Sequence, residues 1–551
     1  MRHITLGTEA KTWIICSFLA LGGFIFGYNF GILSGLLVTS SIHKDLDDPG
    51  TDEGPRSTLV NVTNLGAFVG ALISGPLADL LGRKGLVSLA AVIFMFGDVL
   101  QVGASDLNRL YGGRVVTGLA VGILSMAVPL YQSELAPKEM RGRMISIQQF
   151  AITLGICISF WIAYGVSSDV EGLTWRLGFG IQLIPTLILL LGMIAMPQSP
   201  RFSVSKNKPK EALETLARLR GDGSTDHPDV LMEYAEICQN NKFERRLYGH
   251  MSAYRRLFAA GPENNRRRLL LGISIQIFQQ LTGINVILTY APNIFRMTGL
   301  TSHNVLFANG ISGIVNMMAT IPAVILIDKL GRRPTTIGGA VVCCISLCVM
   351  AIISGLHSLA GKSMDDPNSG GPSLSPDDNA ALVPIWNTDA SAIGFMVMMY
   401  IFVASFACTW GPAGWIYPTE LYSQGVRAKA LSITTAANWL FNFVILQIAP
   451  VMLNRIYWRT YVVFAVFCVL IAIAIYAFFP ETTGKSLEEV DLIFSCEFNY
   501  YDLAVHHPQT AAAALNRLER TQQQNHRLSI DIPATTSLQT NPVNLALPDN
   551  A

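Results

Sequence analysis

Charge is scarce in this chain. Asp, Glu, Lys and Arg make up 14% of its 551 residues against 51% hydrophobic, an apolar content beyond what a soluble core needs, so lipid is the solvent to expect. The formal net charge is +1, which gives no electrostatic case for nucleic acid as a partner. Nine cysteines are scattered, most of them inside apolar stretches (Cys16, Cys157, Cys343, Cys344, Cys348, Cys408, Cys468). None has metal-ligand spacing, so they read as buried thiols, with no metal and no cofactor. A nucleophile elbow, a phosphate-binding loop and a His/Cys cluster are all missing, which argues against an enzyme. Carboxylates are also missing from the apolar runs that begin near Trp13, Leu269 and Ala430.

What is present is a duplication. Asp79-Leu-Leu-Gly82-Arg83-Lys84 recurs as Asp328-Lys-Leu-Gly331-Arg332-Arg333. Pro129-Leu-Tyr131 with Glu134 and Arg141 is echoed by Trp415-Ile-Tyr417 with Glu420 and Arg427, and Pro197-Gln198-Ser199 more loosely by Pro480-Glu481-Thr482. The second echo is spaced more widely than the first, so an insertion lies between them. A bilayer core needs about 20 mainly apolar residues per helix. Twelve runs of that order begin near Trp13, Leu59, Leu86, Val115, Ile145, Leu177, Leu269, Val305, Thr336, Ile393, Ala430 and Tyr461, six on each side of a polar stretch. The expected fold is therefore an all-α membrane protein of twelve transmembrane helices in two pseudo-symmetric six-helix bundles.

Lys and Arg fall in alternate loops, around Arg83 and Lys84, Lys138 to Arg143, the central stretch, Lys329 to Arg333, and Arg427 with Lys429. The positive-inside rule makes these loops cytoplasmic, together with both termini, and puts the loops holding Lys44, Arg109, Arg296 and Lys362 outside. The first run is longer than a signal-peptide core and lacks a cleavage pattern, so it reads as the first span. The predicted organisation is a cytoplasmic N-terminus at 1–12, a bundle at 13–196, a cytoplasmic linker with short helices at 197–268, a bundle at 269–480 with a long outer loop at 357–391, and a cytoplasmic tail at 481–551, largely disordered after about 505. The tail allows a short helix at Ala511–Arg520 and a phosphorylation pattern at Arg527–Ser529. The sequon at Asn61 sits at the edge of a span, where glycosylation is not expected.

Polar groups inside a membrane are costly, so clusters of uncharged amides are the functional clue. Gln276, Gln279, Gln280 and Gly283 lie at i, i+3, i+4 and i+7 of the seventh run, placing three amides on one helical face. Asn285 follows, where a break at Gly283 swings it toward the same cavity. Asn438 and Asn442 are one turn apart in the eleventh run with Trp439 between them; Gln148 and Gln149 enter the fifth, Asn316 the eighth and Trp415 the tenth. An amide both donates and accepts, matching a sugar hydroxyl, and an indole face packs on the C–H surface of a pyranose. The alternative for each amide is a brace between helices. Asn29, Arg114 and Asp98 are further polar residues within spans; Asp98, near the end of the third, reads as a solvated charge at the outer interface.

These residues resemble the sugar porters of the major facilitator superfamily over nearly the whole chain. The resemblance is carried by Phe26-Gly27-Tyr28, Gly75 to Lys84, Gly113-Arg114, Pro129 to Pro137 with Arg141-Gly142, Pro197 to Arg201, Gln279-Gln280-Leu-Thr-Gly283-Ile-Asn285, Gly331-Arg332-Arg333, Gly411-Pro412 with Trp415 and Glu420, and Pro480 to Gly484. The Trp410 to Trp415 segment looks like fungal monosaccharide transporters. The resemblance implies the major facilitator fold, residence in the plasma membrane, and a central sugar site that opens to either side in turn. By motif position it implies sugar contacts from Gln149, Gln279, Gln280, Asn285, Asn316 and Trp415, with Gln276 and Asn438 joining them.

Three departures qualify that implication. Proton-coupled members carry Asp in the first span facing the Arg of the fourth; here that position is Asn29 while Arg114 remains, and an amide cannot accept and release a proton in the accessible pH range. Facilitated diffusion is the expectation that follows, with proton coupling, and protons as a partner, the alternative. The sugar-contacting Glu of animal facilitators is Ala407 here, and the Glu of the Pro-Glu-Ser-Pro-Arg motif is Gln198. Asp79, Arg83, Glu134, Arg141, Arg201, Asp328, Arg332, Arg333, Glu420, Arg427 and Glu481 are expected to form ion-pair clusters that exist only while the inner mouth is shut. Gln198 brings no charge, so the first-half cluster should be the weaker. A transporter-like sugar sensor remains the other class, and the sequence does not choose among hexose, pentose and polyol.

Overall fold

The computed structural model describes residues 8–36, 53–137, 140–167, 175–220, 223–248, 251–258, 264–298, 300, 302–357, 389–483, 490 and 494. Nearly all of the outer loop, Lys44, Lys138, Lys362 and the tail beyond 494 lie outside the described residues, so the expectations placed there do too. Among the described residues every regular element is helical.

Among the described residues twelve spans are formed, some of them from two helices. Thr8–Leu19 and Leu21–Leu36 make the first, and Glu53–Val102 runs through the second and third, with a non-helical break at Gly82. Leu107–Leu135, Arg141–Ser167, and Trp175–Gly180 with Leu183–Gly192 complete the first half. The second half has Asn265–Leu281 with Ile284–Thr289, then Ser302–Leu330 and Arg332–His357, then Asp389–Cys408 with Trp410–Leu421, and finally Arg427–Arg455 and Arg459–Phe478. Most of these helices begin before the apolar runs do, because a helix continues past the hydrocarbon until a cap ends it. Asp106 is one such cap, its carboxylate accepting the Arg109 N–H at 2.8 Å.

Gly82 and Gly331 occupy equivalent turns with φ of 75° and 92°, a left-handed conformation that costs little only without a β-carbon. The repeated signature thus encodes the same corner twice. Within the first half, a Cβ on Gly66 or Gly70 would strike the Val115 or Leu119 carbonyl, and one on Gly118 or Gly122 the Thr63 or Ala67 carbonyl. Small residues four apart on both helices let their backbones touch, the packing that lipid favours.

The halves meet along two seams, Arg427–Arg455 against Glu53–Val102 and Ser302–Leu330 against Arg141–Ser167. Side chains turned away from the core stay apolar, as with Phe96, Ile184, Leu356 and Leu470. Asn61 is buried and donates to Gln447 Oε1 at 2.6 Å across the first seam, so its amide is occupied. Between the halves lie Pro200–Ser205, Pro209–Arg220, Pro228–Tyr248 and Ala253–Phe258. Ala212, Leu216 and Ala217 pack there with Val230 and Ile237, and Arg220 ties this group to Glu233 at 2.9 Å and to the Leu135 carbonyl at 2.9 Å.

Candidate functional site

The seventh span stops as a helix at Leu281 and resumes at Ile284. Gly283 between them has φ 86°, and a Cβ there would lie 2.7 Å from the Phe464 ring. The turn brings Asn285 Nδ2 to 2.6 Å from Gln280 Oε1. Beside it, between the halves, lies a cavity of about 610 Å³ free of protein atoms, its opening included.

Gln149, Gln279, Gln280, Asn285, Asn316, Trp415 and Asn438 all line this cavity. The structure places Gln276 outside the lining: its Nε2 donates to the Gly414 carbonyl at 2.8 Å and its Oε1 accepts from Asn438 Nδ2 at 2.6 Å. Gln276 is thus a brace that aims Asn438, whose Nδ2 also reaches Gln279 Oε1 at 2.9 Å. Gln279 does both jobs, lining the cavity and donating to the Trp410 carbonyl at 3.1 Å. Gln148 packs against span 1 at Gly23 instead. Ala407 is buried and its neighbour Phe406 meets the cavity.

Two indoles cross between the halves. Trp415 Nε1 donates to Gln149 Oε1 at 3.0 Å, and Trp439 Nε1 to Ser125 Oγ at 3.0 Å. Phe26 sits between them, 6.3 Å and 5.1 Å from their rings. The apolar wall formed by Phe26, Phe30, Ile152, Ile156 and Leu288 was not singled out from the sequence. Apolar residues fill every span, and nothing in the pattern marks the few that face a cavity.

A second cavity, about 380 Å³ with its opening included, shares Phe26, Phe30 and Trp439 with the first and is also lined by Asn29 and Arg114. Arg114 NH1 donates to Asn29 Oδ1 at 3.1 Å, Asn29 Nδ2 to Gln182 Oε1 at 3.2 Å, and Gln182 Nε2 to Asp98 Oδ1. Asp98 is 0% exposed. That corrects the expectation of a solvated charge: the helix continues to Val102, so Asp98 lies a turn inside its end and faces span 6 rather than water.

At the end carrying the basic loops the duplicated motifs do the same work twice. Arg83 pairs with Glu134 at 2.7 Å and Arg332 with Glu420 at 2.8 Å; Ser199 Oγ donates to Glu134, and Thr482 Oγ1 to Glu420 at 2.7 Å. The hydroxyls of Tyr131 and Tyr417 donate to the carbonyls of Pro197 and Pro480. All these contacts lie within one half. Arg333 is also held within its own half, by the Tyr476 carbonyl and ring, while Arg141 donates to the Ser133 carbonyl and Arg427 to that of Tyr422. Other contacts of the expected cluster cross between halves. Asp79 pairs with Lys429 at 3.0 Å, Asp328 accepts the Arg143 N–H at 3.1 Å, and Arg201 NH1 reaches Gln424 Oε1 at 3.4 Å. Lys429 and Arg143 are the partners that the sequence reading did not assign.

Gln198 and Glu481 occupy equivalent places after the sixth and twelfth spans. Gln198 Oε1 accepts from Lys84 N at 3.4 Å and Ser199 N at 3.3 Å. Glu481 accepts from Arg332 N at 3.0 Å, Arg333 N at 2.9 Å and Thr483 N at 3.0 Å. Burial pushes the Glu481 carboxyl up, but the Thr483 hydroxyl and these backbone donors outweigh it and hold the group below its ordinary range.

A twelve-helix bundle of two like halves, around an amide- and indole-lined cavity clasped at one end, defines a membrane carrier for a small polar solute. The chain matches the sequence pattern of the sugar (and other) transporter family over residues 15–494, and it belongs to that family. It is 35% identical over 496 residues to the MFS glucose transporter mfs1 of Aspergillus flavus, covering 88% of this chain and 90% of that protein. It is 33% identical over 506 residues to the high glucose sensor RGT2 of Saccharomyces cerevisiae, covering 89% of this chain and 62% of the sensor. The structure of the proton:xylose symporter XylE bound to 6-bromo-6-deoxy-D-glucose superimposes with a TM-score of 0.73 at 26% identity, covering 89% of this chain and 100% of that one.

Proposed function

We propose that this protein carries a neutral monosaccharide, a hexose, across the plasma membrane by alternating access, with the basic end and both termini in the cytoplasm. The observation that carries the reading is the shared cavity. Gln279, Gln280, Asn285, Asn316 and Asn438 from one half and Gln149 from the other offer donors and acceptors to hydroxyls, while Trp415 supplies an aromatic face. Sugar bridges the halves here, and Gln276 holds Asn438 in position for it. The pairs Asp79–Lys429 and Asp328–Arg143 shut the inner mouth and must break for it to open.

The first span by itself supports facilitated diffusion, since Asn29 has no group that accepts and releases a proton in the accessible pH range. Proton coupling is the second reading, favoured by one observation: a carboxylate, Asp98, is buried behind that amide. Exchange of labelled D-glucose for unlabelled sugar in proteoliposomes tests the carrier. Rapid exchange, competed by other hexoses more than by pentoses or polyols, supports it. Binding without exchange refutes it and leaves a sensor.

A further inference from the structure

Asp98 lies 0% exposed in the third span, and Oδ2 of its carboxylate has no hydrogen-bond partner. Its other oxygen ends a chain whose direction is fixed by chemistry. Arg114 can only donate, so Asn29 must present Oδ1 to it and Nδ2 to Gln182; Gln182 must then present Oε1 to Asn29 and Nε2 to Asp98. Asp98 Oδ1 is therefore always an acceptor. A proton can occupy Oδ2 without reversing any link.

The chain joins four spans: the fourth through Arg114, the first through Asn29, the sixth through Gln182 and the third through Asp98. Arg114 is 1% exposed, stacks on Phe179 at 5.0 Å, and keeps Nε and NH2 without hydrogen-bond partners. Among the described residues the charged or titratable groups facing Asp98 are Arg114 and the Tyr28 phenol, and Tyr28 donates to the Gly178 carbonyl at 2.7 Å. Asp98 is thus the counter-charge of a buried guanidinium, and burying a lone cation is strongly unfavourable.

We propose that Asp98 is a proton-binding site and that the protein is a proton–sugar symporter coupled through it. The inference rests on the carrier reading above and moves the coupling carboxylate from the first span to the third. A proton from the outer compartment bonds to Oδ2; that O–H bond breaks when the proton leaves to the inner one, and nothing else is made or broken. With Asp98 ionised, Arg114 is neutralised and the four spans stay tied. With Asp98 protonated, Arg114 keeps its charge without a counter-ion and is better placed facing water in the second cavity, whose Phe26, Phe30 and Trp439 walls are also walls of the sugar cavity. Proton occupancy and the shape of the sugar site then share one free energy, so each ligand favours the other.

The test uses the full chain in proteoliposomes with labelled D-glucose. With the outside acid by one pH unit, the unaltered protein should accumulate glucose up to about tenfold for one proton per sugar, the two gradients being linked. Adding glucose without a gradient should alkalinise a weakly buffered medium. D98E should keep accumulation, and D98N should lose it while glucose-for-glucose exchange continues. Equilibration regardless of the gradient, no alkalinisation, or full accumulation by D98N overturns the proposal and restores facilitated diffusion. A complete lack of exchange by the unaltered protein overturns the carrier reading instead. Should D98N fail to fold, alkalinisation by the unaltered protein still decides.

Discussion

Replacing Asp328 by Asn should loosen the inner mouth by a calculable amount. Asp328 serves two partners, Arg332 in its own half at 2.8 Å and Arg143 in the other. The Arg332 pair lies within one half and survives the opening, so only the Arg143 contacts bear on the balance between conformers. The Arg143 N–H to Oδ2 bond at 3.1 Å is charge-assisted, and exchanging the carboxylate for an amide oxygen costs about 1 kcal/mol. The side-chain pair, at 3.7 Å with Arg143 39% exposed, adds at most about 0.5 kcal/mol after screening by solvent. A total of about 1–1.5 kcal/mol corresponds to a roughly five- to twelvefold rise in the inward-open population. Ile145, in the dry cluster with Ile327 and Ile416 below the cavity, is the place for a reporter. With Ile145→Cys in the background, the rate of labelling by an impermeant thiol reagent from the inner side should rise by that factor in D328N. A rate within twofold of the parent would refute the claim that this seam is a gate.

Three further substitutions bear on the same reasoning. Gly142→Ala puts a methyl group against Asp328 Oδ1 and Arg332 NH2, so it should force the seam apart and speed Ile145→Cys labelling at least as much as D328N does. Gln198→Glu copies Glu481 into the first half and places a carboxylate on the donors of Lys84 and Ser199; these contacts lie within one half and survive the opening, so the gain of about 0.5–1 kcal/mol should leave Ile145→Cys labelling within about twofold of the parent, and a larger change would show that this corner takes part in the gate. Trp415→Phe keeps an aromatic wall but removes the 3.0 Å bond to Gln149, so the KM for D-glucose uptake should rise roughly fivefold, as expected for losing about 1 kcal/mol. An unchanged KM would remove Trp415 from the site.

The sequence by itself determined the spans, the duplication and the amide lining. Twenty-residue apolar runs have one stable outcome in lipid, and Gly82 and Gly331 repeat one corner because only that residue tolerates it. Gln279, Gln280 and Asn285 were legible for the same kind of reason, since polar groups in such runs must be turned away from lipid. Tertiary structure alone decided which of them touch the cavity, because Gln276 and Gln279 share a helix face and both meet the tenth span and Asn438, but only Gln279 also borders the open space. It also divided the charges at the basic end into braces within a half and clasps between halves, which no spacing along the chain encodes. Asp98 shows the same limit: its place near a span end suggested water, and only the packing of the sixth span, which sets Gln182 against it, makes it a buried counter-charge to Arg114.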